Sequence, residues 1–528
     1  MKETLRYQPY DQDKYPVPNC TLYRQYILIL TIRSHGGREM MRRLCTARSS
    51  FACNTRRSSV LAVDNPFTGE TYVEVPVESA EETVRKVERS AAAQRVFAAE
   101  TSLEDRIALC ARFMEAFEAD KERIAQDITG QMGKPFHNAL GEVRGMFERC
   151  EGMMALAPAA LAPEVLPAKD NFSREIVKDP VGVVLCVAPW NYPLLTTVNC
   201  VVPAVLAGNG VVIKHSPRTP LCGDAFARAF EAAGTPEGLV TGLTCADESV
   251  HTAIAHDDVG FVSFTGSVRG GRAIYSSVAS ERFIDATLEL GGKDPGYVAE
   301  DANMKAAVAT LVDGAFFNAG QSCCGIERVY VHESRYNDFL EAAAAEINAT
   351  LKLGDPMDTA TTMGPMALPG SPAFLQAQID DAVAKGAKVL TGGSAPRKDD
   401  NAALATGRFF RPTLLAGCDH SMDVMRDESF GPVLGVAPVA SDEEAIAKMN
   451  DSAFGLTACA FTADAGRAAA MGRQLKVGTF FMNRCDYLDP MLPWGGTGDT
   501  GKGVSLSSHG FRGVTKLKGM HLKFDPAK

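Results

Sequence analysis

The stretch Val181-Gly182-Val183-Val184-Leu185-Cys186-Val187-Ala188-Pro189-Trp190-Asn191-Tyr192-Pro193 opens the most regular part of the chain. Residues 181–188 are apolar and rich in valine, so they read as a buried strand. The two prolines that follow impose a rigid turn. From there the pattern alternates. Helical spacing over 196–208, 221–233, 248–256 and 268–279 is interleaved with strand-like runs at 211–214, 239–243, 261–264 and 283–288. Strands separated by helices of this length predict a parallel sheet built from βαβ units, the form of a nucleotide-binding domain.

Outward from this core, the alternation restarts beyond Gly291-Gly292. Helices are expected over 304–317 and 335–349. Strands are expected at 328–332, 432–439, 456–461 and 477–482, and Ser441 with Glu444 reads as a capping box opening a further helix. On the N-terminal side, Asn65-Pro66-Phe67-Thr68-Gly69 is a turn. Ser79 and Glu82 form another capping box, and 79–160 reads as amphipathic helices broken at Gly133-Lys134-Pro135. Residues 165–180 and about 512–524 fit neither pattern and are expected to be extended arms.

The chain has 528 residues, room for two or three domains. Its net charge of −10 gives no basic footprint for nucleic acid. No apolar run approaches the roughly 20 residues that span a bilayer, so no membrane partner is expected. The 14 cysteines are scattered without a CxxC pair, which argues against a metal centre and for a reducing compartment. Met40-Met41 opens a segment with Arg42, Arg43, Arg48, Arg56 and Arg57 and no acid before Asp64. That composition matches a mitochondrial transit peptide. The expected location is the mitochondrial matrix, with translation starting at Met40 or Met41. The alternative is a basic tail without an address on a cytoplasmic protein.

Two motifs carry the chemistry. Phe316-Phe317-Asn318-Ala319-Gly320-Gln321-Ser322-Cys323-Cys324 puts a thiol behind a Gly-Gln turn, where the helix is expected to end at Gly320. Upstream, Leu288-Glu289-Leu290-Gly291-Gly292-Lys293 sets a carboxylate among apolar residues and glycines. A thiol can hold an acyl group, and a carboxylate of raised pKa can activate the water that releases it. Cys324 reads as a structural neighbour pointing elsewhere. Asn191, in the turn after the first strand, is either a backbone cap or a donor to an oxyanion. Phe264-Thr265-Gly266-Ser267-Val268-Arg269-Gly270-Gly271 is either an ordinary strand–helix turn or a phosphate cradle at a helix N-terminus.

Together with Asp427-Glu428-Ser429-Phe430-Gly431-Pro432-Val433 and Leu492-Pro493-Trp494-Gly495-Gly496, these motifs resemble, in order, those of the aldehyde dehydrogenase superfamily over nearly all of 61–524. The resemblance implies an α/β fold with two parallel-sheet domains and a small β oligomerisation arm. Residues 61–164 and 181–289 would form the dinucleotide-binding domain and 290–490 the catalytic domain. Residues 165–180 and 505–528 would form the arm of a homodimer or homotetramer, and 1–60 an extension. It further implies oxidation of an aldehyde to the acid with NAD(P). Cys323 would be the nucleophile, Asn191 an oxyanion donor and Glu289 the base. Trp190, Lys214, Gly266, Ser267, Glu428 and Phe430 would hold the cofactor. Tyr192, Leu195, Thr196, Asn199, Phe317, Ser322 and Trp494 would line an aldehyde tunnel with Arg484 near its mouth. The family's acid three residues after the lysine is here Pro217, and the family's lysine after Gly-Gly-x is Gly498. NAD is the expected cofactor, with NADP left open. Acyl transfer to coenzyme A and a non-enzymatic scaffold on the same fold are the alternative readings.

Overall fold

The computed structural model describes residues 59–524 apart from 400, 402 and 486. The basic segment that suggests a mitochondrial address lies outside them. Within these residues the chain builds a six-stranded sheet in the order Gly501–Lys502, Asp285–Glu289, Val259–Thr265, Val183–Ala188, Gly210–His215, Val240–Leu243. All but the Gly501–Lys502 edge run parallel. Strands Val183–Ala188 and Gly210–His215 are buried at every position, as a sheet covered by helices on both faces requires. Chain order reverses beside Val183–Ala188: the next two strands add on one side and Val259–Thr265 on the other. The loops leaving the two neighbours therefore diverge and open a crevice at their carboxyl ends.

A seven-stranded sheet follows, ordered Lys388–Thr391, Thr413–Ala416, Val433–Val439, Ile326–His332, Asp294–Val298, Thr457–Phe461, Thr479–Met482. Only its Lys388–Thr391 edge is antiparallel. Residues 290–293 run directly from the last parallel strand of the first sheet into Asp294–Val298 of this one. Glu164–Val165, Phe172–Pro180 and Thr515–Lys523 make a separate antiparallel ribbon. Four helices, Ala80–Glu100, Leu103–Ala119, Lys121–Met132 and Phe136–Leu161, precede the first sheet. The Ser79/Glu82 capping box forms in full. At Ser441 only half of one forms, because the Glu444 carboxylate accepts from Ala440 N instead. The helix before the thiol stops at Phe316, four residues short of Gly320, because Asn318, Ala319 and Gly320 all take left-handed backbone.

Two fully buried ion pairs lock the loops at the seam. Lys134 Nζ lies 2.5 Å from Glu142 and 2.9 Å from the Asn191 carbonyl. The Glu142 carboxylate accepts from Leu194 N and Leu195 N, capping the helix Pro193–Leu206 where its dipole favours negative charge. In the second sheet, Lys293 pairs with Glu327 at 2.5 Å and reaches Ser429 Oγ at 3.1 Å. Glu327 accepts from the N–H groups of Ser429 and Phe430 at 2.7 and 2.9 Å, which holds Phe430 in left-handed backbone. Removing one partner of a buried pair strands the other charge. Lys134→Met is expected to cost about 3–5 kcal/mol and to lower Tm by calorimetry. The paired change Lys134→Met/Glu142→Leu recovers part of that loss.

Candidate active site

Two cavities adjoin at the thiol. The first, of about 240 Å³, is bordered by Cys323, Glu289, Tyr192, Leu195, Thr196, Asn199, Phe317 and Trp494. The second, of about 460 Å³, is bordered by Cys323, Trp190, Asn191, Lys214, Gly266, Ser267, Glu428 and Phe430. Cys323, Thr265 and Leu290 border both. The six-stranded sheet presents its carboxyl ends to this place, through Pro189–Asn191, Gly266–Ser267 and Glu289. The seven-stranded sheet presents its amino ends: Cys323 precedes strand Ile326–His332, and Glu428 precedes Val433–Val439.

The thiol loop is held rigidly. Asn318 Nδ2 donates to the carbonyls of Asn191 and Gln321, both at 3.1 Å. Gln321 Nε2 donates to the Asn318 carbonyl, and its Oε1 accepts from Ala367 N. Asn191 Nδ2 reaches the Gln321 carbonyl at 3.2 Å. A Cβ on Gly320 would overlap the Gly431 carbonyl, so that position admits only glycine. Left-handed backbone at Asn318 and Ala319 costs of order 1–3 kcal/mol per residue and persists where its surroundings over-determine it. Cys323 is half-buried and Cys324 buried; Cys324 also borders the first cavity, with its Sγ 3.5 Å from the buried Ser322 Oγ.

Glu289 closes the strand Asp285–Glu289 and is 9% exposed. Burial pushes its pKa up to about 8, and only the Ser505 hydroxyl opposes the shift. Ser505 Oγ donates to Glu289 Oε1 at 3.4 Å, while the buried Oε2 has no partner. The first cavity thus holds a thiol and a carboxyl that ionises near neutrality, the equipment for covalent acyl chemistry.

The wall of the second cavity suits a dinucleotide. Ser267 caps the helix Val268–Glu281, so that the helix N-terminus, which favours anions, borders the cavity through Ser267 and Arg269. Lys214 and Ser216 border the same space. Trp190 and Phe430 meet edge to face with ring centres 5.5 Å apart. Glu428 accepts from Gly292 N at 3.0 Å and lies so close to Gly291 that a Cβ there would overlap the carboxylate. Burial, then the nearby Glu327 charge, raises its pKa to about 7. A carboxylate of this kind, still able to accept, suits a ribose diol.

Every cofactor and tunnel residue expected from sequence, Ser322 and Arg484 aside, borders one of the two cavities. Ser322 is buried behind the wall, with Oγ 3.5 Å from Cys324 Sγ. The Arg484 guanidinium stacks 4.0 Å over the Tyr487 ring, and it is Tyr487 that borders the first cavity. Sequence reading missed Lys134, Glu142, Glu327, Tyr487 and Ser505. Only Lys134 carried a signal, as a polar residue between a glycine and a proline.

The sequence model of the aldehyde dehydrogenase family matches residues 54–520. Among similar proteins, a succinate semialdehyde dehydrogenase [NAD(P)+] of Escherichia coli is 34% identical, over 84% of this chain and 94% of its own. A mitochondrial aldehyde dehydrogenase of Mesocricetus auratus is 31% identical, over 87% and 91%. A betaine aldehyde dehydrogenase of Staphylococcus aureus, solved in complex with NAD+, superposes with a TM-score of 0.83 at 30% identity, over 89% and 93%. The chain belongs to the aldehyde dehydrogenase family and is an oxidoreductase that converts an aldehyde to the carboxylic acid with NAD(P).

Proposed function

We propose that Cys323 is the nucleophile of this oxidation, Asn191 and the Cys323 backbone N–H its oxyanion donors, and Glu289 the base that hydrolyses the acyl intermediate. The observation that carries the reading is the thiol's position where the two cavities adjoin, with the buried carboxyl in one of them. Cys323 Sγ adds to the aldehyde carbon, and the carbonyl oxygen becomes an oxyanion. One N–H of Asn191 is used on the Gln321 carbonyl. The second is available to that oxyanion, and preorganised donors of this kind stabilise developing charge strongly. A bound NAD(P) supplies the hydride acceptor, and the residues that would hold it are Trp190, Lys214, Gly266, Ser267, Glu428 and Phe430. The resulting thioester on Cys323 is opened by water, whose proton Glu289 takes; the C–S bond breaks and the acid leaves.

The presence of Glu289 favours water over coenzyme A as acceptor. Cys323→Ala is expected to abolish NAD(P)H formation at 340 nm, whereas Cys324→Ala keeps most of it. Because only the ionised base accepts a proton, hydrolysis of the acyl-enzyme is expected to rise with pH about a midpoint near 8. Added coenzyme A leaves the rate unchanged. A pH-independent hydrolysis rate, or acyl-coenzyme A as product, contradicts the assignment.

For the cofactor we infer a preference for NAD. Pro217 stands where relatives of this family often carry an acid, but Asp247 Oδ1 lies 3.5 Å from Lys214 Nζ. A carboxylate there partly neutralises the cation and opposes a 2′-phosphate. Asp247→Ala is expected to raise NADP affinity relative to NAD by about tenfold, about 1.4 kcal/mol, in fluorescence titrations of both cofactors. An unchanged ratio rules this out.

The small, mainly apolar first cavity supports a medium-sized aliphatic or aromatic aldehyde. Relatives that act on succinate semialdehyde support a second reading, a semialdehyde, although Arg484 itself does not border the cavity. We take residues 61–164 and 181–289 as the cofactor domain and 290–490 as the catalytic domain. The segments 165–180 and 505–528 would serve a homodimer or homotetramer, a role that the exposed Val165, Leu517 and Leu522 of the ribbon support.

A further inference from the structure

The first cavity extends past Glu289. On the adjacent parallel strands Val259–Thr265 and Asp285–Glu289, Ser263 lies opposite Thr287 and Thr265 opposite Glu289. Side chains two residues apart share a face of a strand, so these four make a two-by-two polar patch. All four border the cavity, as does Ser505. The opposite face of the same strands carries Val262, Phe264, Ala286 and Leu288, all in the core. Nor is the polar face a solvated exterior: Thr287 is 8% exposed.

Among the described residues, the hydroxyls of Ser263, Thr265 and Thr287 have no hydrogen-bond partner in the protein. Glu289 Oε2 has none either. Ser263 and Thr265 are half-buried, while Thr287 and Glu289 are buried; a buried polar group without a partner costs free energy that an apolar side chain of the same shape avoids. Polar groups converging on one cavity are the surroundings that hold ordered water. A hydroxyl both donates and accepts, so each can pass a proton on as it receives one.

We propose that Ser263, Thr265, Thr287 and Ser505 form a hydroxyl relay that seats water beside the Glu289 carboxyl and carries away the proton Glu289 receives. In the step served, a water O–H bond breaks and its proton goes to Glu289. The water oxygen bonds to the acyl carbon, and the C–S bond breaks to leave the Cys323 thiolate. The proton then passes from Glu289 along the hydroxyls and their waters to solvent. The four are positioning residues, since none touches the acyl carbon. The proposal rests on Glu289 being the base of deacylation.

p-Nitrophenyl acetate can acylate the thiol without dinucleotide, so the p-nitrophenolate burst reports acylation and the steady phase reports deacylation. In Thr287→Val and in Ser505→Ala, alone and combined, the burst is expected to persist. The steady phase should slow by about 10- to 100-fold in the combined variant, with its pH midpoint displaced. Thr287→Ser and Ser505→Thr keep a hydroxyl and should run near the unaltered rate. Steady phases equal to that of the unaltered protein in the Val and Ala variants overturn the relay. So do equally slow phases in the Ser and Thr variants, which would mark a packing effect. If Glu289→Gln deacylates at the unaltered rate, the base assignment itself fails, a result separate from failure of the relay.

Discussion

The carbonyl of Asn191 takes hydrogen bonds from Lys134 and Asn318, and the side chain of Asn191 gives one to Gln321. This small knot joins the turn that closes Val183–Ala188 to the loop that carries the thiol. Its other end is anchored by the Lys134–Glu142 pair, which also caps the helix leaving the turn. Position and charge are thereby linked: the Asn191 side chain and the loop that carries the Cys323 thiol are set by the same hydrogen bonds. Catalytic geometry of this precision is worth several kcal/mol of barrier when the reacting groups are already aligned.

The site stores free energy as well as geometry. Left-handed backbone runs through Asn318 and Ala319 and recurs at Phe430. Burial adds to this at Glu289. Its folded pKa of about 8 lies above the ordinary 4.5, so the folded state keeps a proton that the unfolded chain has lost. The stability this group allows is full below about 4.5 and declines as pH rises to about 8. Ionising this carboxyl thus acts against the fold, and that tension is what leaves the carboxylate eager for a proton.

Much of this was legible in the chain because it is local. Val183–Ala188, Gly210–His215 and their helices announce themselves by apolar runs and period, and Cys323 and Glu289 by glycines beside them. What escaped depends on partners remote in sequence. Asp294-Pro295-Gly296-Tyr297-Val298 has the composition of a turn, yet it is a central strand. Its Asp294 carboxylate is satisfied by the N–H and hydroxyl of Thr457 at 3.0 and 2.6 Å, and Gly296 makes room for Leu311. Tertiary contacts there override local preference. Glu327 and Ser505 gave no signal for the same reason: each acquires its meaning from a group more than thirty residues away. The habit of looking for ligands at carboxyl ends of strands locates Trp190 and Gly266, but not Cys323 or Glu428, which the second sheet offers from its amino ends.

The passage from one sheet to the other is only residues 290–293 long, and it leaves directly from Glu289. Gly292 in that passage donates to Glu428, and Lys293 anchors the loop behind it. Any hinge motion swinging the sheets apart would drag Glu289 and loosen the contacts of Glu428 together. Opening the seam would therefore break the Gly292–Glu428 and Lys293–Ser429 hydrogen bonds at once.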